Sequence, residues 1–169
     1  MSNTYTIVPF QKSMGRAVFD CGEAALNSYF AHQVSQDIRR RVTSCFVALS
    51  SDNAVIGYYT LASASIHLSD LPEEVASKLP RYPSVPAVRL GRLAVSKNHQ
   101  KKGLGGALLA DAIMRVLQSP IAAFSLIVNA KDKQAVNFYQ HFGFFPFNDN
   151  PQMLFLPMSI GLKALQLSR

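Results

Sequence analysis

The run Gln100-Lys101-Lys102-Gly103-Leu104-Gly105-Gly106 lies between an apolar β-type stretch that ends at Val95 and a helical pattern that starts near Gly103. A strand that turns through glycines into a helix commits this half of the chain to an α/β crossover. It also presents a row of backbone N–H groups with no helical partner. The helix dipole adds positive potential at the same place, so the turn is built for an anion. Lys101 and Lys102 add formal charge. Two familiar phosphate loops are excluded. A dinucleotide-binding fingerprint needs Gly-x-Gly-x-x-Gly and an acid ~20 residues further on. Here the third glycine is adjacent to the second and that acid is missing. The Gly-x4-Gly-Lys-Ser/Thr loop is absent too.

The pattern predicts other elements around this turn. Tyr5–Val8 reads as a first strand, followed by helices over Glu23–Phe30 and His32–Arg41. Thr43–Leu49 and Val55–Ala64 form a hairpin about the turn 50–53. Leu71–Leu79 is a short helix with Pro72 in its first turn, and Pro80, Pro83 and Pro86 make a stiff connector. Val88–Val95 is a strand. Gly103–Gln118 is a helix with Leu104, Leu108, Ala112 and Val116 on one stripe. Phe124–Val128 is a buried strand, and Asp132 caps a helix that runs to Phe142, with Gly143 at its C′ position. Phe144–Phe147 and Met153–Pro157 close the sheet, and a last helix starts at Ile160.

At 169 residues the chain predicts a single domain over 1–169, and 49% apolar residues suffice for a core. Cys21 and Cys45 make no disulfide framework and read as buried small apolar residues. No Cys/His cluster suggests a metal. The start of the chain reads as no signal peptide, and no stretch of ~18 apolar residues predicts a membrane span. The expectation is therefore a cytoplasmic protein without a membrane partner. The net charge is +7. Between Val75 and Ala110 stand Lys78, Arg81, Arg89, Arg92, Lys97, Lys101 and Lys102, with no acid among them. The remaining 10 cations balance the 10 acids, so the whole excess belongs to the segment that leads into and forms the glycine turn. That placement predicts a polyanionic ligand or partner.

The stretch from Gly91 to Val116 resembles motif A of the GCN5-related N-acetyltransferases (GNAT), whose Gln/Arg-x-x-Gly-x-Gly/Ala pattern is filled by Gln100, Gly103 and Gly105. Asn129–Phe144 resembles the following strand and helix, with Tyr139, Gly143 and Phe144 at the signature positions. A narrower resemblance, through Asp20–Phe30, Arg89–Val95 and Phe138–Phe144, is to the acetyltransferase toxins of bacterial toxin–antitoxin pairs, the TacT and AtaT type. This resemblance implies a GNAT fold: a mixed, mostly antiparallel sheet flanked by helices, with a splayed strand pair that holds acetyl-CoA. It implies transfer of acetyl to the α-amino group of aminoacyl-tRNA, a ribbon-helix-helix antitoxin as partner, and a homodimer, to which an aromatic surplus over Phe142–Phe155 also points. It places the cofactor on Leu93, Ala94, Val95, Gln100, Lys101, Lys102, Gly103, Leu104, Gly105, Gly106, Asn129 and Phe138. It makes Tyr139 the catalytic acid.

Acid chemistry suits Tyr139, because a phenol of pKa ~10 can protonate a leaving thiolate whose conjugate acid lies near ~8.5. The amine step is more restrictive. No Asp or Glu occurs between Glu74 and Asp111, so the fourth strand carries no carboxylate base. A lysine amine of pKa ~10.4 needs such a base or strong desolvation, whereas an α-amino group starts near ~7.7–8.0 and an aminoacyl ester is expected lower still, so that amine is already substantially neutral at pH 7. The missing carboxylate therefore favours an α-amine acceptor, with His67 or a water as the remaining aids. Arg39, Arg40, Arg41, Arg89, Arg92 and Lys97 are the candidates for tRNA contact. A small-amine or protein N-terminal acetyltransferase, and a non-catalytic module that keeps the fold, are the alternatives at this level.

Overall fold

The computed structural model describes residues 4–167. Its elements are β1 (Tyr5–Pro9), α1 (Ala24–Ser28), a π-helical turn (Tyr29–Gln33), α2 (Val34–Arg39), β2 (Ser44–Ser50), β3 (Val55–His67), α3 (Glu73–Ala76), β4 (Ser84–Val95), α4 (Leu104–Gln118), β5 (Ser125–Asn129), α5 (Lys133–His141), β6 (Phe145–Pro146), β7 (Met153–Pro157) and α6 (Gly161–Leu167). The seven strands are ordered β1-β2-β3-β4-β5-β7-β6. β4 and β5 are parallel, while β1–β2, β2–β3, β5–β7 and β6–β7 are antiparallel. The α/β class and the predicted element order both hold. The chain divides into two compact units, and the long strands β3 and β4 and the helix α4 each run through both.

The first unit, Met1–Ala62 with Gly91–Ala112, contains β1, β2, the start of β3, the end of β4 and α1–α2. Its core gathers Phe19, Phe30, Val34, Cys45, Val47 and Tyr58, with the Phe30 and Tyr58 rings stacked at 4.5 Å. The two helices expected over 23–41 form one helical run, and the junction is a π turn rather than a break. That turn carries Tyr29 and Phe30 into the core. Gly57 is required here: a methyl group on it would stand 3.0 Å from both the Ala94 carbonyl oxygen and a Leu108 methyl. Both cysteines are buried, as expected.

The second unit, Ser63–Leu90 with Ile113–Arg169, contains the end of β3, the start of β4, and β5, β7 and β6. Ile66, Leu71, Val85, Ala87, Ile127 and Phe155 form its core. β4 begins at Ser84, four residues before the expected start, and includes Pro86. A proline lacks only the donor; the Pro86 carbonyl accepts from Phe124 N at 2.8 Å. The β4–β5 register covers Ala87–Leu90 against Ser125–Val128. α5 starts where expected, because Asp132 Oδ1 accepts from Ala135 N at 2.8 Å. It ends through Gly143, whose φ of 96° lets the chain turn off the helix while Phe144 N still donates to Tyr139 O. Most of the Phe142–Phe155 aromatics are core: Phe142, Phe144 and Phe155 are buried, and Phe145 is exposed.

Candidate active site

In the first unit, the glycine turn is shaped by two residues with left-handed backbone, Lys101 (φ 62°) and Gly103 (φ 86°). α4 follows at once, and Ala107 N donates to Gly103 O at 3.1 Å. The amides of Gly103 to Gly106 therefore head the helix ahead of its first backbone bond. A methyl group placed on Gly103 meets nothing within 4 Å, so the space before the turn is open to a ligand. Lys101 and Lys102 are exposed beside it. Ala94 is buried, and Leu93 and Val95 are half-buried on β4.

Gln100, expected among the cofactor ligands, is bonded to the protein through its amide nitrogen. Its Nε2 donates to Cys21 O and to Val95 O, each at 2.9 Å. These bonds fasten the turn to the strand before it and to the segment 20–22. That segment is itself a closed network. Asp20 Oδ1 accepts from Gly22 N and from Asn27 Nδ2 at 2.9 Å, and Asp20 Oδ2 pairs with Lys97 Nζ at 3.4 Å. The Gly22 backbone bond, then Asn27, then Lys97 hold the Asp20 carboxyl below the usual carboxylate range. Lys97 N also donates to Asp20 O at 2.9 Å. Lys97, a candidate for tRNA contact, is exposed and pairs with Asp20. The signal in the sequence was Asp20-Cys21-Gly22 with Asn27 following, a turn followed by a polar anchor.

Arg92, another expected tRNA contact, lies over the Tyr29 ring at 3.4 Å from the guanidinium carbon to the centroid. Arg39, Arg40 and Arg41 are exposed at and beyond the end of α2. His99 has its Nδ1 buried without a hydrogen-bond partner. His67 is exposed at the end of β3.

In the second unit, α5 carries Phe138 and Tyr139, whose rings meet edge-on at 5.2 Å, and Phe144 lies 5.4 Å from Tyr139. Tyr139 is 7% exposed. Burial raises its phenol above the ordinary value of 10. Four tyrosines are buried among the described residues, and three have committed hydroxyls. Tyr29 donates to Asp37, Tyr58 to Leu26 O and Tyr59 to Asp111. Among the described residues, Tyr139 alone of the four has a hydroxyl without a hydrogen bond, and that oxygen is not sealed from solvent. A buried ring with an available, protonated hydroxyl is the arrangement a general acid needs. Asn129 is exposed at the end of β5, and Arg89 is exposed on β4. Among the described residues no His, Cys, Asp and Glu cluster could hold a metal ion, and no helix is long and apolar enough to cross a membrane.

Residues 79–161 match the model of the acetyltransferase (GNAT) domain. The tRNA-acetylating toxin of Mycobacterium tuberculosis is 37% identical over 128 residues, covering 75% of this chain and 75% of that protein. The chain belongs to the GNAT acetyltransferase family. Solved GNAT structures resemble it over nearly its whole length. AtaT complexed with acetyl-methionyl-tRNAfMet has a TM-score of 0.87 at 30% identity, covering 94% of this chain and 98% of that one. A substituted AtaT toxin, bound to the C-terminus of the antitoxin AtaR and to acetyl-CoA, has a TM-score of 0.77 at 26% identity, covering 96% of both chains. The enzyme class is thus N-acetyltransferase, and the glycine turn lies within the matched residues.

Proposed function

We propose that this GNAT is the toxin of a toxin–antitoxin pair and transfers acetyl from acetyl-CoA to the α-amino group of aminoacyl-tRNA, which blocks translation. Both units contribute to one acetyltransferase domain in this reading. Acetyl-CoA supplies the activated thioester. Backbone N–H groups at Gly103–Gly106, with Lys101 and Lys102, hold its phosphates. Backbone groups of Leu93, Ala94 and Val95 orient the pantetheine arm and polarise the thioester carbonyl. Asn129 and Phe138 line the same ligand. Gln100 acts indirectly, by holding the turn in shape through Cys21 and Val95.

The observation that carries the catalytic assignment is the uncommitted hydroxyl of Tyr139 beside three committed ones. Tyr139 Oη gives its proton to the leaving sulfur. No acid stands between Glu74 and Asp111 to take a proton from a lysine side chain. The α-amine of an aminoacyl ester, expected below the ~7.7–8.0 of a free α-amino group, is substantially neutral at pH 7 and needs no such base. The named relatives act on or bind tRNA. Of the candidates for tRNA contact, Arg39, Arg40, Arg41, Arg89 and Lys97 are exposed, and Arg92 is half-buried. A ribbon-helix-helix antitoxin, a homodimer and a cytoplasmic location belong to the same reading.

Expression in a bacterial host tests it. The chain should arrest growth, and Tyr139→Phe should abolish the arrest. Full toxicity of that variant would remove Tyr139 from its role. Substrate affinity should fall steeply between 50 and 200 mM salt, because phosphate contacts release counterions. Indifference to salt would favour a small amine or a protein N-terminus as acceptor.

A further inference from the structure

Within the first unit, the peptide group that joins Cys21 to Gly22 is gripped at both ends. Its carbonyl oxygen, on Cys21, accepts from Gln100 Nε2, and its N–H, on Gly22, donates to Asp20 Oδ1, each at 2.9 Å. Asn27 holds the groups on either side of this peptide. Its Nδ2 donates to Asp20 Oδ1, and its Oδ1 accepts from Cys21 N, again at 2.9 Å. Asn27 is itself fixed on α1. Asn27 N donates to Glu23 O at 3.0 Å, and α1 is tied to β3 where Tyr58 Oη donates to Leu26 O at 2.8 Å. A continuous path of hydrogen bonds thus runs from α1 through Asn27, Asp20 and the 21–22 peptide to Gln100. The proposed chemistry gives Asn27 no part.

The glycine turn needs such a hold. Lys101 follows Gln100 directly and keeps a left-handed backbone at φ 62°. A residue with a side chain keeps that conformation only where its surroundings impose it. The Gln100 bonds constrain the chain before Lys101, and the bond from Ala107 N to Gly103 O constrains it after. Gln100 is an exposed, flexible side chain, so its own place depends on the acceptors it meets. One acceptor, Val95 O, stands at the end of β4. The other, Cys21 O, is aimed by Asn27 and Asp20. The Asp20 carboxylate also polarises the 21–22 peptide through Gly22 N, which makes the Cys21 carbonyl a stronger acceptor for Gln100.

We infer that Asn27 is a positioning residue for acetyl-CoA: through Asp20 and the 21–22 peptide it fixes Gln100, and with it the turn whose backbone N–H groups take the phosphates. Asn27 acts on the shape of the turn and not on the ligand itself. The inference rests on the reading above that Gly103–Gly106 hold those phosphates, and adds the remote side chain that sets their aim.

The experiment measures, by calorimetry on the full chain, the affinity for acetyl-CoA and for S-acetylpantetheine, which carries the thioester and its arm but no phosphate. Asn27→Ala should weaken acetyl-CoA by about 10-fold, the scale of one hydrogen bond lost from a preorganised site, and leave S-acetylpantetheine unchanged. Asn27→Asp keeps the size of the side chain but sets a second carboxylate against Asp20 in place of the donor. It should weaken acetyl-CoA at least as much, and it decides the matter even if Asn27→Ala fails to fold. Gln100→Ala should also weaken acetyl-CoA. Adding Asn27→Ala to it should cost less than about 2-fold more, because residues in one hydrogen-bond network are not additive. Equal weakening of both ligands, additive losses in the double variant, or unchanged acetyl-CoA affinity in the Asn27 variants overturns the role. If the unsubstituted chain binds both ligands equally, the glycine turn holds no phosphate, and that reading falls with the inference. If the unsubstituted chain prefers acetyl-CoA and the Asn27 variants keep the full preference, the inference falls alone.

Discussion

The guanidinium carbon of Arg92 stands 3.4 Å from the centre of the Tyr29 ring, and the Tyr29 hydroxyl donates to Asp37 Oδ2 at 2.8 Å. Gln33 Nε2 donates to the other Asp37 oxygen at 3.0 Å. β4, the π turn and α2 are thus tied by one chain of cation, ring and carboxylate. Burial, reinforced by the bond to Asp37, pushes the Tyr29 phenol above its ordinary value.

Arg92→Ala should therefore act on stability. A desolvated cation–π contact is worth about 2 kcal/mol and an exposed one about 0.5–1. Arg92 is half-buried, so a loss of about 1–2 kcal/mol is expected from urea unfolding. Arg92→Lys should recover only part of it, because an ammonium lacks the planar face that stacks on the ring. The salt dependence of tRNA binding should be unchanged by Arg92→Ala and weakened by Arg89→Ala.

Stability should fall in acid with a defined origin. The bond from Tyr29, then that from Gln33, and then Arg92 keep the Asp37 carboxyl below its ordinary range, and Asp20 is held down by Gly22, Asn27 and Lys97. A carboxyl with a depressed folded pKa stabilises above its unfolded value of about 3.9, and that stabilisation is lost as pH falls below it. Urea midpoints measured from pH 7 to pH 2.5 should drop below about pH 4. Asp37→Asn should lower the neutral plateau and make this acid limb shallower.

Tyr139→Phe should leave folding and acetyl-CoA affinity intact and reduce kcat by about 10²–10⁴-fold, the usual contribution of a positioned acid. Burial raises the Tyr139 phenol, so it remains protonated throughout the neutral range. The pH–rate profile of the unsubstituted enzyme should then rise with deprotonation of the acceptor amine and show no falling limb below pH ~10. A falling limb near pH 8 would assign the acid to another group.

Gly103→Ala separates backbone shape from space. The added methyl meets nothing within 4 Å, yet φ is 86°. The left-handed backbone alone costs an L-residue about 1–2 kcal/mol. Thermal unfolding should show that loss, and calorimetry should show weaker acetyl-CoA binding as the turn relaxes.

Local chemistry made much of the molecule legible from sequence. Asp132 and Gly143 bound α5 because a cap and a left-handed C′ residue act within one turn of chain. The glycine turn could be read because its glycines and lysines are contiguous. What escaped depends on partners distant in sequence. Lys97 reads as a free cation until Asp20, 77 residues earlier, is placed beside it. Gln100 reads as a phosphate ligand until Cys21 and Val95 occupy its amide. The β4 start was missed because Pro86 reads as a breaker, although its carbonyl still serves the sheet.

The most direct measurement mixes the purified chain, acetyl-CoA labelled in the acetyl group, and matched pools of charged and uncharged tRNA. Label should enter only the charged pool, and mild alkaline release should give an N-acetylated amino acid. Equal labelling of both pools, or label confined to protein or to a free small amine, would contradict the account.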